Sequence, residues 1–127
     1  VDIISRVTNR HDDEISVNRK DQIFRRFIEL LGKGNGRMRS VTEIARQLYI
    51  TPKYLSTVVR QCSDKTPLEW IHQHSINVIV QQLRYTDKSI KDISNEMGFP
   101  NQAFFGKFVK SKTGLSPRNY RARFREK

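Results

Sequence analysis

Apolar residues recur along this chain at the three- and four-residue spacing of one helix face, and strand-like alternation is sparse. Residues 1–17 show only a weak stripe of Ile3, Ile4 and Val7, so we interpret them as a linker or the end of an upstream element. From Asn18 onward the spacing is regular. It predicts an all-α fold of about seven helices, at about 18–31, 41–48, 51–62, 67–84, 90–97, 101–112 and from 117 onward.

The two halves of the chain repeat one another. Val41–Ala45 matches Ile90–Ser94 at a separation of 49 residues, and Val58–Arg60 matches Phe108–Lys110 at a separation of 50. Each copy is a short helix, a short turn and a second helix, which is the helix-turn-helix pattern. We therefore expect two helix-turn-helix subdomains joined by a long linker helix. The first lobe is predicted at about 18–66, the linker helix at 67–84 and the second lobe at 85–127.

Positive charge is concentrated in the repeated region. The 24 Lys and Arg residues against 13 Asp and Glu give a formal net charge of +11. Residues 1–20 carry four basic and four acidic side chains, whereas residues 98–127 carry eight basic side chains and one acidic one. Such a surplus indicates a polyanionic partner, nucleic acid or an anionic membrane face. A linker helix about 27 Å long approaches the ~34 Å repeat of duplex DNA, so the pattern favours reading of successive major grooves.

Composition disfavours several other classes of protein. No apolar run approaches the ~20 residues needed to cross a bilayer. Cys62 is the sole cysteine, which favours a reducing compartment, taken here as the cytoplasm. No catalytic, metal or cofactor site is predicted, because His72 and His74 point to different sides of a helix and Asp12-Asp13-Glu14 fits a solvated linker. The first residue is Val rather than Met, which fits removal of an initiator methionine and, at least equally well, a fragment of a longer protein.

Three alternatives stay open from charge and pattern alone. Repeated helical hairpins also form packing modules. A nuclease or recombinase could carry this region as its DNA-binding part. A basic protein-interaction module, with RNA polymerase as a candidate partner, fits as well.

Two sets of residues carry a resemblance to a known family over about 20–123. They are Ile44-Ala45 and Leu48 through Ser56 in the first copy, and in the second Asp87 through Ile90, Gly98 through Gln102, Phe105, Lys110 and Thr113 through Arg121. In these residues the chain resembles the AraC/XylS-type bacterial transcription regulators. This resemblance implies a two-lobed, seven-helix domain that binds double-stranded DNA sequence-specifically and regulates transcription initiation, often as part of a longer sensor-regulator.

The resemblance also assigns the residues that read bases. In the first copy Leu55, Val58 and Val59 are predicted to face inward, which leaves the other side of the helix for DNA. In the second copy, Phe104 is predicted with equal weight as a core residue or as a thymine-methyl contact. Thr57 and Lys107 stand where many relatives have Arg. The implied base contacts are Lys53, Ser56, Thr57, Gln102, Ala103, Phe104 and Lys107.

Flanking basic side chains are expected to contact phosphates and fix the register. For any one of them, a solvated surface charge is an equal alternative. Ser40, Ser89 and Ser116 could present helix N-termini to phosphates, although capping is the simpler role. The candidate phosphate contacts are Arg39, Arg60, Arg84, Lys88, Lys110, Lys112, Arg118, Arg121 and Arg123.

The expected partners follow from this reading. Double-stranded DNA is the main one, with RNA polymerase as a further candidate. No membrane association and no small-molecule effector site are expected within this chain. We expect a monomer, with dimerisation left to a longer protein.

Overall fold

A computed structural model describes residues 2–125 of the chain, with side chains from Asn18 to Arg125. Over this range the chain forms seven helices and no strand, which confirms the all-α prediction. No helix in the described part is long and apolar enough to cross a membrane. The helices are α1 (Asp2–Lys33), α2 (Val41–Gln47), α3 (Pro52–Ser63), α4 (Pro67–Tyr85), α5 (Ile90–Glu96), α6 (Gln102–Thr113) and α7 (Pro117–Arg125).

The predicted start of the first helix at Asn18 is wrong. Helix α1 begins at Asp2, 16 residues earlier. The prediction followed the apolar stripe, which reports which face of a helix packs against a core. Residues 2–17 contain neither Gly nor Pro, so nothing in their backbone chemistry interrupts the helical hydrogen bonds. The assignment of residues 1–17 to a linker or upstream element remains a prediction.

The chain divides into two compact units. The first consists of the residues up to Leu30 together with Val41–Pro67. Its buried apolar side chains lie on one side of each helix, as the spacing predicts, and Phe24 stacks beside Phe27 with ring centres 6.5 Å apart. The fully buried members are Phe27, Ile44, Ala45, Leu55, Val58 and Val59.

The second unit consists of Leu31–Ser40 and the chain from Leu68 onward, and therefore includes nearly all of α4. Tyr120 is 8% exposed and packs in the core of this unit. Trp70, at the matching repeat position, is only half-buried, and Phe124 is 37% exposed with its ring 4.5 Å from that of Tyr120. The core of this unit is formed by Ile76, Ile79, Leu83, Ile93, Met97, Phe105, Val109 and Tyr120.

Candidate nucleic-acid interface

Helix α3 is the second helix of the first repeat, and its ends are fixed by local chemistry. The Thr51 side-chain oxygen accepts a 3.1 Å hydrogen bond from the Tyr54 N–H, and Pro52 occupies the first turn. The helix ends where Asp64 adopts a left-handed conformation, with φ of 61°, and its N–H donates to the Arg60 carbonyl. These two caps fix where α3 begins and ends, and so fix which of its side chains, starting with Leu55, face the core.

The opposite face of α3 carries the predicted base contacts. Lys53 and Thr57 are exposed, and Ser56 is half-buried. The Thr57 hydroxyl donates a 3.1 Å hydrogen bond to the Lys53 carbonyl one turn earlier. Because its proton is used inside the helix, Thr57 offers the surface an acceptor oxygen and a methyl group.

Helix α6 occupies the same place in the second repeat. The Asn101 side-chain oxygen accepts a 3.0 Å hydrogen bond from the Phe104 N–H, and Gly114 ends the helix with φ of 83°. Phe105 and Val109 are fully buried. Two equivalent caps and two equivalent buried faces thus orient α3 and α6 in the same way, each within its own unit.

The outward face of α6 presents the predicted reading residues together. Gln102, Ala103, Phe104 and Lys107 are all exposed. Phe104 is 58% exposed, which excludes the core interpretation of this side chain. The exposed Phe104 ring gives this face of α6 an apolar contact group between the Gln102 amide and the Lys107 ammonium.

Most predicted phosphate contacts are accessible. Lys88 is paired with Glu96 at 2.9 Å in an exposed ion pair, which contributes little to stability and exchanges readily. The Arg84 guanidinium carbon lies 5.3 Å from the Tyr85 ring centre and 5.2 Å from that of Phe124. The exposed members are Arg60, Arg84, Lys88, Lys110, Lys112, Arg118 and Arg123, and Arg39 is half-buried.

Arg121 differs from the others because it is bound inside the protein. Its Nε donates to the Leu83 carbonyl at 3.0 Å, and its Nη2 donates to the carbonyls of Gln82 at 3.4 Å and Thr86 at 3.2 Å. Burial, reinforced by the nearby Arg125, lowers the pKa of Arg121. The Nε and Nη2 donors of Arg121 are therefore engaged within the protein and are not offered to a phosphate.

A surface cavity of about 440 Å³ lies where the starts of α5 and α7 meet α6. The hydroxyls of Ser89 and Ser116 cap α5 and α7, accepting from backbone N–H groups at 3.0 and 3.2 Å, which confirms the capping roles. Lys91 and Arg118 supply positive charge here. Sequence reasoning missed Lys91, because the matching position in the first repeat is an uncharged threonine.

Cys62 and His72 have different surroundings. Among the described side chains, no group of three His, Cys, Asp or Glu residues is placed to hold a metal ion. Burial raises the pKa of the Cys62 thiol, and the carboxylate of Asp21 adds to this. His72 packs edge-on against Phe108, with ring centres 5.2 Å apart, and burial together with Lys112 lowers its pKa.

Two capped helix-turn-helix units with exposed second helices define a tandem helix-turn-helix protein. The helix-turn-helix domain family matches residues 44–123 of the chain. This chain belongs to that family, in its AraC/XylS type. It is accordingly a DNA-binding domain of the kind found in transcriptional regulators. The alternative classes, a recombinase or nuclease part and a protein-interaction module, are not favoured.

Curated relatives are bacterial regulators. The chain is 29% identical over 82 residues to an uncharacterised HTH-type transcriptional regulator, YtdP, of Bacillus subtilis, covering 65% of this chain and 11% of that protein. It is 27% identical over 82 residues to the regulator AlkR of Acinetobacter baylyi, covering 65% of this chain and 27% of that protein. It is 24% identical to the regulatory protein SoxS of Salmonella typhimurium, covering 80% of this chain and 95% of SoxS. The chain thus spans a minor part of the first two relatives.

Solved structures share the fold. The C-terminal domain of AraT, a response regulator from Geobacillus stearothermophilus, matches with a TM-score of 0.74 at 24% identity, covering 80% of this chain and 84% of that one. The DNA-binding domain of the transcriptional factor AdpA, solved with a target DNA, matches with a TM-score of 0.72 at 19% identity, covering 80% and 92%.

Proposed function

We propose that this chain reads duplex DNA sequence-specifically by placing α3 and α6 in successive major grooves, as the DNA-binding part of a longer bacterial regulator of transcription initiation. The observation that carries the proposal is the outward face of α6, where Gln102, Ala103, Phe104 and Lys107 are exposed while Phe105 and Val109 are buried. A helix with this division of faces fits a groove about 12 Å wide, with its polar side toward the base edges.

Each exposed side chain suits a particular base edge. Gln102 can pair with adenine through two hydrogen bonds, and Lys53 and Lys107 can donate to guanine O6 or N7. Lys gives a less directional contact than Arg, so guanine preference under Lys107 should be modest. Thymine methyl groups are matched by the apolar groups of Ala103 and Phe104.

The remaining reading residues are the two hydroxyl side chains of α3. The Thr57 hydroxyl already donates a hydrogen bond to the Lys53 carbonyl, so toward DNA it acts as an acceptor and a methyl contact. Ser56 donates or accepts. The first unit therefore discriminates less strongly than a helix bearing a bidentate arginine would.

Phosphate contacts supply most of the affinity in this proposal. Arg60 and Lys110 are exposed at matching repeat positions, one in each unit, and Arg118 lies at the cavity between α5, α6 and α7. Each ammonium or guanidinium that neutralises a phosphate releases condensed counterions, so affinity should fall steeply with salt. The further proposed contacts are Arg39, Arg84, Lys88, Lys112 and Arg123.

Several further features follow from this role. The chain is not an enzyme in this proposal, and it works in the cytoplasm, where bacterial DNA lies. It binds DNA as a monomer, because two reading helices on one chain make a dimer unnecessary for bipartite recognition. RNA polymerase is a further partner, and effector binding belongs to the remainder of the longer protein.

Selection of bound sequences from a random duplex pool, at two salt concentrations, tests the proposal. We expect enrichment of two short half-sites separated by about one helical turn of 10–10.5 base pairs. The affinity for the enriched site should fall linearly on a logarithmic scale as salt rises. Failure to enrich any sequence would show that reading is not specific, and half-sites without a fixed separation would show that the two helices do not act together.

A further inference from the structure

Tyr49 lies in the turn of the first repeat in a backbone conformation that its side chain disfavours. Its φ is +60°, in the left-handed region, and its side chain is 90% exposed. The matching residue in the second repeat is Gly98, with φ of +81°. The two turns are closed alike, since Ile50 N–H donates to the Ala45 carbonyl and Phe99 N–H to the Ser94 carbonyl, both at 3.1 Å.

The second repeat shows which type of residue this turn favours at the position with positive φ. A side chain at Gly98 would meet the Arg37 side chain at 3.0 Å and the Met38 carbonyl at 3.2 Å, and the positive φ would add strain. The first repeat uses the same turn, yet it holds a tyrosine that is almost entirely in solvent. Burial of the ring therefore does not offset the conformational cost.

Resting on the proposed function, we propose that Tyr49 is a further DNA contact, whose phenol hydroxyl donates a hydrogen bond to a backbone phosphate at the rim of the groove that α3 enters. Tyr49 lies two residues before Thr51, the N-cap of α3, and the N-terminal residues of a recognition helix are the ones that approach base edges. Tyrosine is a regular donor to phosphate oxygens.

The charge around this turn favours DNA as the partner. Exposed Arg46 precedes Tyr49 in the chain and exposed Lys53 follows it. Both are cationic, which suits the polyanionic surface of the duplex. A phosphate contact carries no base information, so Tyr49 positions the first unit and does not select its sequence.

Binding and stability of Tyr49→Phe and Tyr49→Gly separate this contact from a purely structural role. On the sequence selected by the wild-type chain, Tyr49→Phe should weaken binding by about 10- to 100-fold, the effect of one hydrogen bond to a charged group. The loss should be equal on unrelated sequences. The salt slope should not change, because a neutral hydroxyl releases no counterion.

Tyr49→Gly should weaken binding at least as much while raising the melting temperature by a few degrees, since glycine relieves the left-handed strain. Tyr85→Phe is the matched control: Tyr85 is 73% exposed but lies at the end of α4, outside the turn, and the substitution retains the ring beside Arg84. This control should bind like the wild type.

Four outcomes decide the proposal. Weaker binding by both Tyr49 variants, with an unchanged salt slope, supports it. Wild-type affinity in both variants overturns it. If both variants bind DNA normally but no longer support transcription, Tyr49 contacts a protein partner instead. Loss of affinity in Tyr49→Gly alone overturns the hydroxyl–phosphate contact. If the wild-type chain binds no DNA, the proposed function itself fails. That result differs from the one in which the wild-type chain binds DNA and both Tyr49 variants bind it equally well.

Discussion

The Arg121 guanidinium closes the C-terminal end of α4 by donating through Nε to the Leu83 carbonyl at 3.0 Å. Together with its bonds to Gln82 and Thr86, this ties α7 to the last turn of α4. The last carbonyls of a helix have no partner within it, and a positive side chain at that end also suits the helix dipole. Arg121 thus joins two helices that are distant in the sequence.

Arg121→Ala should therefore lower the free energy of unfolding by about 1.5–3 kcal/mol, the range for hydrogen bonds to a charged group. Urea denaturation measures this. The control is Arg118→Ala, which removes an exposed cation of the same helix and should leave stability within about 0.5 kcal/mol while reducing the salt slope of DNA binding. Unchanged stability in Arg121→Ala would contradict the structural role of the guanidinium.

Gly106 is a glycine in the middle of α6 with room for a side chain. A Cβ there would have as its nearest neighbour the Cδ of Pro117, at 4.0 Å, which is ordinary van der Waals contact. Alanine is favoured over glycine in a helix interior by about 0.8–1.0 kcal/mol. Gly106→Ala should raise the free energy of unfolding by about that amount, measured by thermal or urea unfolding.

Gly98→Ala gives the opposite expectation and serves as the control for Gly106→Ala. It combines a positive φ with contacts as close as 3.0 Å, so it should destabilise the protein. A loss of stability in Gly106→Ala would contradict the 4.0 Å clearance at this position. It would mean that another group packs closely against the Gly106 backbone.

We expect His72 to make the free energy of unfolding depend on pH. Because burial and Lys112 lower its pKa in the folded protein from the ordinary value of 6.5, the unfolded chain binds the proton more tightly. Acidification from pH 7.5 through 6.5 and below should therefore reduce the free energy of unfolding. His72→Gln should lose this part of the pH dependence, as measured by denaturation at pH 7.5 and 5.5. Parallel pH profiles for the two proteins would exclude His72 as the source.

The limits of sequence-based prediction are visible in single residues. Helices α3, α5 and α6 begin within two residues of the predicted positions, because Thr51-Pro52, Ser89 and Asn101 carry cap chemistry in the local sequence. The sequence did not decide whether Phe104 is a core residue or a surface contact, because phenylalanines at three positions of α6 spread apolar character over more than one face. Its exposure of 58% is visible only in the folded structure.

Arg121 and Tyr49 show what local pattern leaves out. Arg121 contacts carbonyls 35 to 39 residues away in the sequence, and neither its charge nor its position in the pattern predicts these bonds. At Tyr49 the pattern predicted a turn, but the positive φ emerged only from the backbone. Long-range partners and conformational strain are properties of the folded chain, which hydrophobic spacing does not encode.

Lys107 and Arg60 should have separable effects on DNA binding. Lys107→Ala removes a donor to a base edge on the exposed face of α6, so discrimination against the wrong base under the second unit should fall by about 1–3 kcal/mol. Arg60→Ala removes an exposed cation of α3, so affinity should fall equally on all sequences and the salt slope should decrease by about one unit. Binding titrations on the selected site, on its single-base variants and on random duplex, each at several salt concentrations, measure both effects. An equal loss for Lys107→Ala on selected and random DNA would contradict base reading by α6, because only a sequence-blind contact weakens both alike.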